Sequence, residues 1–115
     1  MTKRRTQSAD ATLLPYAAEK LGAAVQVLAT HPSRVQHRLR AAAEHLVLVP
    51  VEALPLNVRR RFLKVMRRLT KHPGLLEYPE LSRITLSVKG MHSDTAVKLA
   101  EAICRVADEV EFLLD

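Results

Sequence analysis

The segment from residue 55 to residue 71, PLNVRRRFLKVMRRLTK, constrains the fold more than any other part of this chain. Val58, Phe62, Val65, Met66 and Leu69 recur at i, i+4, i+7, i+8 and i+11. At about 100° per residue, that spacing gathers them into one narrow stripe of an α-helix. Arg60, Lys64, Arg67, Arg68 and Lys71 fall on the far side, Arg59 and Arg61 fall on the flanks, and no acid lies among them. Pro55 suits a first helical turn, where its missing N–H costs nothing. His72-Pro73-Gly74 supplies a stop, because Pro73 moves His72 out of the helical region and Gly74 permits a left-handed turn. A helix with one apolar stripe needs other helices to cover it, so the chain is expected to be an all-α bundle.

The remaining segments supply those helices. Asp10 or Thr12 can cap a first helix with Pro15 in its opening turn and Leu14, Ala17, Leu21, Val25 and Leu28 on one face. Gly22 and the alanines around it would let a neighbouring helix approach closely. A second helix is expected over residues 33–48, with Val35, Leu39, Ala42, Leu46 and Val49 as its apolar positions and Pro50 as its end. Residues 51–54 form a short connector with room for one helical turn. The last helix is expected from Ser93, as cap, with Ala96, Leu99, Ala100, Ile103, Val106, Ala107 and Val110 on its apolar face.

Residues 75–92 are ambiguous. Ile84, Leu86 and Val88 alternate with polar residues as in a strand, while Leu81, Ile84, Thr85, Val88 and Met91 fit a helix. No other segment offers a partner strand, and an isolated strand is not stable, so a helix is expected. Gly90 then marks a kink or a break. The fold class is therefore a small helical bundle of four to five helices. Residues 1–9 form a flexible basic arm and residues 10–115 a single domain.

The endings of the first and third helices are alike: Leu28-Ala29-Thr30-His31-Pro32 matches Leu69-Thr70-Lys71-His72-Pro73. The residues after the prolines diverge, so a shared way of ending a helix explains the likeness better than duplication.

Charge is segregated along the chain. Residues 1–72 hold fourteen Lys/Arg and four Asp/Glu, a net +10, whereas residues 73–115 hold four and eight, a net −4. Such a chain can bind polyanions through its first part or pair its own halves. The candidate polyanion- or partner-binding residues are Arg34, Arg38, Arg59, Arg60, Arg61, Lys64, Arg67, Arg68 and Lys71. The candidate acidic contacts are Asp108, Glu109, Glu111 and Asp115, which crowd the end of the last helix. Acid there opposes the helix macrodipole, and the cationic segment 55–71 is the natural neighbour to offset it.

Three stretches carry a resemblance. They are Val35-x-x-Arg38-Leu39-Arg40-x-Ala42, then Pro55-x-x-Val58-Arg59-x-x-Phe62-x-x-Val65-Met66-x-x-Leu69-Thr70, then Thr95-Ala96-Val97-Lys98-Leu99-Ala100-Glu101. In that order the chain resembles a group of small all-helical bacterial proteins, over about two-thirds of its length. The resemblance implies a bacterial origin and a helix before Gly90. It transfers no functional residue, and its pattern does not require the cationic face of Arg60, Arg61, Lys64, Arg67 and Arg68.

Catalytic patterns are not found in the sequence. The histidines His31, His37, His45, His72 and His92 form no i, i+4 pair, so no metal site is expected. His92-Ser93-Asp94 has the residue types of a triad but, as neighbours on a turn, not its geometry. Cys104, near Ile103 and Val106 on the last helix, reads as a small apolar residue, and Glu44 and His45 face different directions. A single cysteine and the absence of an apolar run of membrane length fit a reducing cytoplasm.

No catalytic residue, cofactor or small-molecule ligand is expected. Two functions compete. One is a non-enzymatic helical interaction or regulatory protein whose basic and acidic helices contact another protein or a second copy of itself. The other is a nucleic-acid-binding protein that sets residues 55–71 against phosphates. Against the latter, a connector at 50–54 without a turn glycine argues against a helix-turn-helix, and aromatic residues are too few to stack bases. Phe62 is likewise of more use in a core than at a membrane surface.

Overall fold

The computed structural model describes residues 12–71 and 80–114. Among them are five α-helices: α1 (Leu14–Thr30), α2 (Val35–Leu46), α3 (Leu56–Leu69), α4 (Glu80–Lys89) and α5 (Ser93–Leu114). One turn of 3-10 helix, Val51–Ala53, joins α2 to α3. The described residues contain no strand, so the alternation over residues 83–89 belongs to a helix, α4. The expected arm at 1–9, Asp10 and the stop at His72-Pro73-Gly74 lie outside the described residues.

The α5 helix organises the bundle. Its 22 residues span roughly 33 Å at 1.5 Å per residue. It packs on α1, α2 and α3, while α4 closes against α2 and α3. Its buried residues are Ala96, Leu99, Ile103, Val106 and Val110, a spacing of three and four that keeps one side inward. The stripe of α3 is buried as its period requires at Val58, Phe62, Val65 and Leu69, with Met66 at the margin. From α1 come Ala17, Leu21, Ala24 and Leu28, and from α2 come Leu39, Ala42, Ala43 and Leu46. All these side chains belong to one contiguous apolar cluster, in which no polar or charged residue is buried among the described residues.

Several expected details shift. Helix α1 is entered through Leu13, whose carbonyl accepts from the Ala17 amide at 3.0 Å, so Thr12 is not its cap. Helix α2 is shorter at both ends than the expected 33–48, and Val49 joins the core from the turn that follows. Helix α5 is entered through His92, whose carbonyl accepts from Ala96 at 3.0 Å. Ser93 is therefore its first residue rather than its cap, and the Ser93 hydroxyl instead accepts from Gln36 Nε2 at 3.1 Å. Gly90 stands at a break: α4 stops at Lys89 and the Met91 amide donates to the Val88 carbonyl.

Helices α1 and α3 end with the same contact. Thr30 Oγ1 donates to the Gln26 carbonyl and Thr70 Oγ1 to the Met66 carbonyl, each at 2.8 Å. Each threonine thus reaches the carbonyl four residues back, a local contact that competes with helix continuation. The two threonines are not equivalent in the matched endings, since Thr30 aligns with Lys71 and Thr70 with Ala29, so this contact does not account for the likeness.

Gly22 does not serve a close helix contact. It is exposed, and a Cβ built on it meets no atom within 4 Å. The close approaches of α1 are made instead by Ala17 and Ala24, both fully buried. A glycine inside a helix costs stability without return here, so Gly22→Ala is expected to stabilise the protein by about 0.5–1 kcal/mol. Thermal unfolding followed by circular dichroism checks this; an unchanged or lowered midpoint contradicts it.

A basic groove between α3 and α5

Helices α3 and α5 run antiparallel. The start of α3, at Asn57 and Val58, shares an opening of about 290 Å³ with Asp108, Glu109 and Phe112 from the end of α5. Farther along, Lys64 and Arg68 of α3 face Lys98 and Ala102 of α5 across a second opening, about 300 Å³ in volume. Its walls carry Arg61, Lys64 and Arg68 from α3 with Lys98 and Arg105 from α5, and its floor is Val65, Leu99, Ala102 and Val106.

This arrangement follows from helical geometry. Arg61, Lys64 and Arg68 stand at i, i+3 and i+7 on one flank of α3, so Lys64 and Arg68, which the sequence pattern sets on the far side of the stripe, instead line the side that faces α5. Lys98, Ala102, Arg105 and Glu109 stand at i, i+4, i+7 and i+11 on α5. Once the two stripes meet in the core, the neighbouring columns become the two sides of a groove. A further opening of about 510 Å³ continues past Arg68, with Lys71, His92 and Thr95 around Leu86 and Met91. The α3–α5 seam is therefore acidic and apolar at one end and basic through the middle and beyond.

One carboxylate is already seated there. The Arg61 guanidinium holds Glu109 with both terminal nitrogens, Nη1 to Oε2 at 2.7 Å and Nη2 to Oε1. This is the fork geometry in which arginine recognises carboxylates. The hydrogen bond from Arg61, aided by its charge, holds the Glu109 carboxyl below its usual range, and the same bond raises Arg61. Both side chains are about two-fifths exposed, 43% and 42%, so the pair orients groups far more than it stabilises the fold. It joins the cationic segment to the acidic end of the last helix, the juxtaposition that the macrodipole argument anticipates.

A carboxyl whose folded pKa is depressed adds stability above its unfolded pKa, and that contribution is lost as pH falls through the folded value. In a carboxyl-detected NMR titration Glu109 is expected to titrate below the usual glutamate range in the native protein and to move up in Arg61→Met. Identical midpoints in the two proteins would show that the fork does not form in solution.

The remaining sequence candidates divide by what the tertiary structure does with them. Two of the nine cations act as clamps on the chain itself. Arg38 Nη1 donates to the Leu28 carbonyl at 3.2 Å, at the end of α1. Arg59 donates to the carbonyls of Leu54 and Glu52, tying the 3-10 turn to α3. Arg83, outside the candidate set, does the same for the end of α3 through the Thr70 carbonyl at 3.1 Å.

Arg60 and Arg67 are exposed on the outer side of α3, and Arg34 is exposed in the turn before α2. Asp108 borders the acidic opening, Glu111 is exposed and lines neither that opening nor the groove, and Asp115 lies outside the described residues. Lys98 and Arg105 are groove residues that the charge count concealed, because they sit within a segment of net −4. Their i, i+7 spacing on one helical column was the available signal.

Cys104 borders a separate, largely apolar depression with Val25, Leu28 and Val97. Burial, then the charges of Asp108 and Glu101, push its thiol up, which disfavours the reactive thiolate. Among the described residues no three His, Cys, Asp or Glu side chains are grouped to hold a metal ion, and no helix is long and apolar enough to cross a membrane. No family model, no curated protein and no solved structure matches this chain.

Proposed function

We propose that this is a non-enzymatic helical interaction protein whose α3–α5 groove receives an acidic, amphipathic helical segment of a protein partner. The observation that carries this reading is the composition of the groove: five cations on its walls over an apolar floor of Val65, Leu99, Ala102 and Val106. Helix-in-groove recognition uses that combination, with the floor taking apolar side chains and the walls setting charge complementarity. The fork by which Arg61, at the groove's end, holds Glu109 supports it, because it shows how an arginine of this wall grips a carboxylate. A polyanion such as nucleic acid has less use for an apolar floor, and the groove contains no aromatic side chain to stack a base.

Nucleic-acid binding remains the competing function. It is favoured by Arg60, Arg67 and Lys71, exposed cations with no ion-pair partner among the described residues. The two readings separate in one anisotropy experiment across a salt series, with a labelled amphipathic Glu/Leu peptide and a labelled DNA duplex. The peptide is expected to bind, and Lys64→Glu with Lys98→Glu is expected to weaken it by about tenfold or more, the equivalent of 1.4 kcal/mol. A duplex that binds with a steep salt slope, sensitive to Arg60 and Arg67, while the peptide fails to bind, replaces this function with the nucleic-acid one.

A further inference from the structure

We infer that the acidic segment seated in the groove is the second half of α5 from a second copy of this chain, giving a two-fold dimer with antiparallel α5 helices. This rests on the reading of the groove as a seat for an acidic segment.

The charge pattern of α5 carries the inference. Lys98, Glu101, Arg105 and Asp108 follow one another on its solvent side with alternating sign. Among the described residues none of the four has an ion-pair partner. Lay the helix antiparallel on a copy of itself with Ile103 at the common level. Equal rise per residue then brings Lys98 level with Asp108 of the other copy, and Glu101 level with its Arg105. Two-fold symmetry repeats both pairs, since such an interface presents the same patch from each side. Every one of the four charges meets its opposite. A parallel arrangement in register would bring each charge against its like.

The apolar groups agree with this register. Phe112 is 77% exposed at the acidic end of α5, whereas Phe62, the other phenylalanine, is buried. Nine residues beyond Ile103, it comes level with Asp94 of the other copy, nine residues before it. There the opening lined by Leu86 and Met91 begins, with Arg68 and Lys71 at its edge for the acids that accompany Phe112. Val97, 43% exposed, lies on the other flank of this face, beside Glu101 and Cys104, and adds apolar area there. A face whose Lys98, Glu101, Arg105 and Asp108 each meet the opposite charge on its own far half is suited to a second copy of itself.

The test exchanges charge rather than removing it. Lys98→Asp sets acid against Asp108 at both ends, and Asp108→Lys sets base against Lys98. Light scattering coupled to size exclusion is expected to show a dimer for the native chain at about 100 µM, and a dissociation constant raised by more than tenfold in each single variant. Mixing the two variants one to one is expected to restore the dimer, because each then presents the charges the other needs. The double variant Lys98→Asp/Asp108→Lys is expected to restore it as well. All positions are exposed, and circular dichroism verifies that each variant is folded.

A native chain that is monomeric at this concentration overturns the inference, as does a dimer indifferent to the single variants or a mixture that stays monomeric. The Glu/Leu peptide then separates the two levels. A monomer that binds the peptide keeps the groove's proposed function and loses only the second copy as its partner; a monomer that does not bind it loses both.

Discussion

Replacing Phe62 with alanine is expected to destabilise the protein by about 3–5 kcal/mol, the largest effect of any single truncation in the core. The ring is 2% exposed and sits on α3, which packs against both α4 and α5. Among the described residues the other rings, Tyr16 and Phe112, are exposed rather than in the core. The loss combines the transfer of the ring back to water with the cavity left among aliphatic neighbours that relax only in part. A domain of this size holds about 5–15 kcal/mol in all, so the variant is expected to be partly unfolded at physiological temperature. Phe62→Leu, closer in volume, is expected to cost well under half as much. Urea unfolding followed by circular dichroism measures both. A loss below about 1.5 kcal/mol for alanine would show that the seam between α3 and its neighbours collapses to fill the space, contrary to the packing described.

Enlarging Ala24 tests the opposite failure. Ala24 is fully buried on α1, whose inner side meets both α2 and α5. Leucine is nearly as good a helix former as alanine, so any loss reports on packing rather than propensity. Ala24→Leu is expected to cost about 1–3 kcal/mol by forcing the helices apart. Ala29→Leu, on the exposed side of the same helix, is expected to stay within about 0.5 kcal/mol of the native protein. Equal behaviour of the two variants would mean that α1 does not approach its neighbours closely at Ala24.

These two positions also show how far the residues alone lead. Phe62 is legible as core because its neighbours in the stripe recur at helical spacing, a local property of 17 residues. Ala24 shares the helical column of Ala17, Leu21 and Leu28, but the sequence offers Gly22 and the alanines around it alike as points of close approach. Small residues permit an approach from any side of a helix; the period already sets Ala17 on the apolar face, and the placement of α2 and α5 buries Ala17 and Ala24 and leaves Gly22 exposed. Residues 83–89 were ambiguous because alternation and helical period coincide over a short run; the need for a partner strand resolved them towards the helix that forms.

The charges divide in the same way. Arg38 and Arg59 belong by sequence to one basic population with Arg60 and Lys64. Their partners are carbonyls at the end of α1 and in the 3-10 turn, and a carbonyl leaves no mark on the sequence. Lys98 and Arg105 were hidden for the converse reason: a segment average of −4 says nothing about which column of a helix carries its few cations.

The sequence by itself determined that the chain is helical, that residues 55–71 bury one stripe and expose a cationic remainder, and that acid gathers at the end of the last helix. Each of these depends on spacing within one segment. Tertiary structure alone decided that part of the cationic remainder faces Lys98 and Arg105 across an apolar floor, that Arg61 holds Glu109, and that other arginines are spent on backbone carbonyls. The physical reason is that a groove belongs to no single helix. The flanks of residues 55–71 become a wall only when the buried stripes of α3 and α5 have set their direction, separation and register.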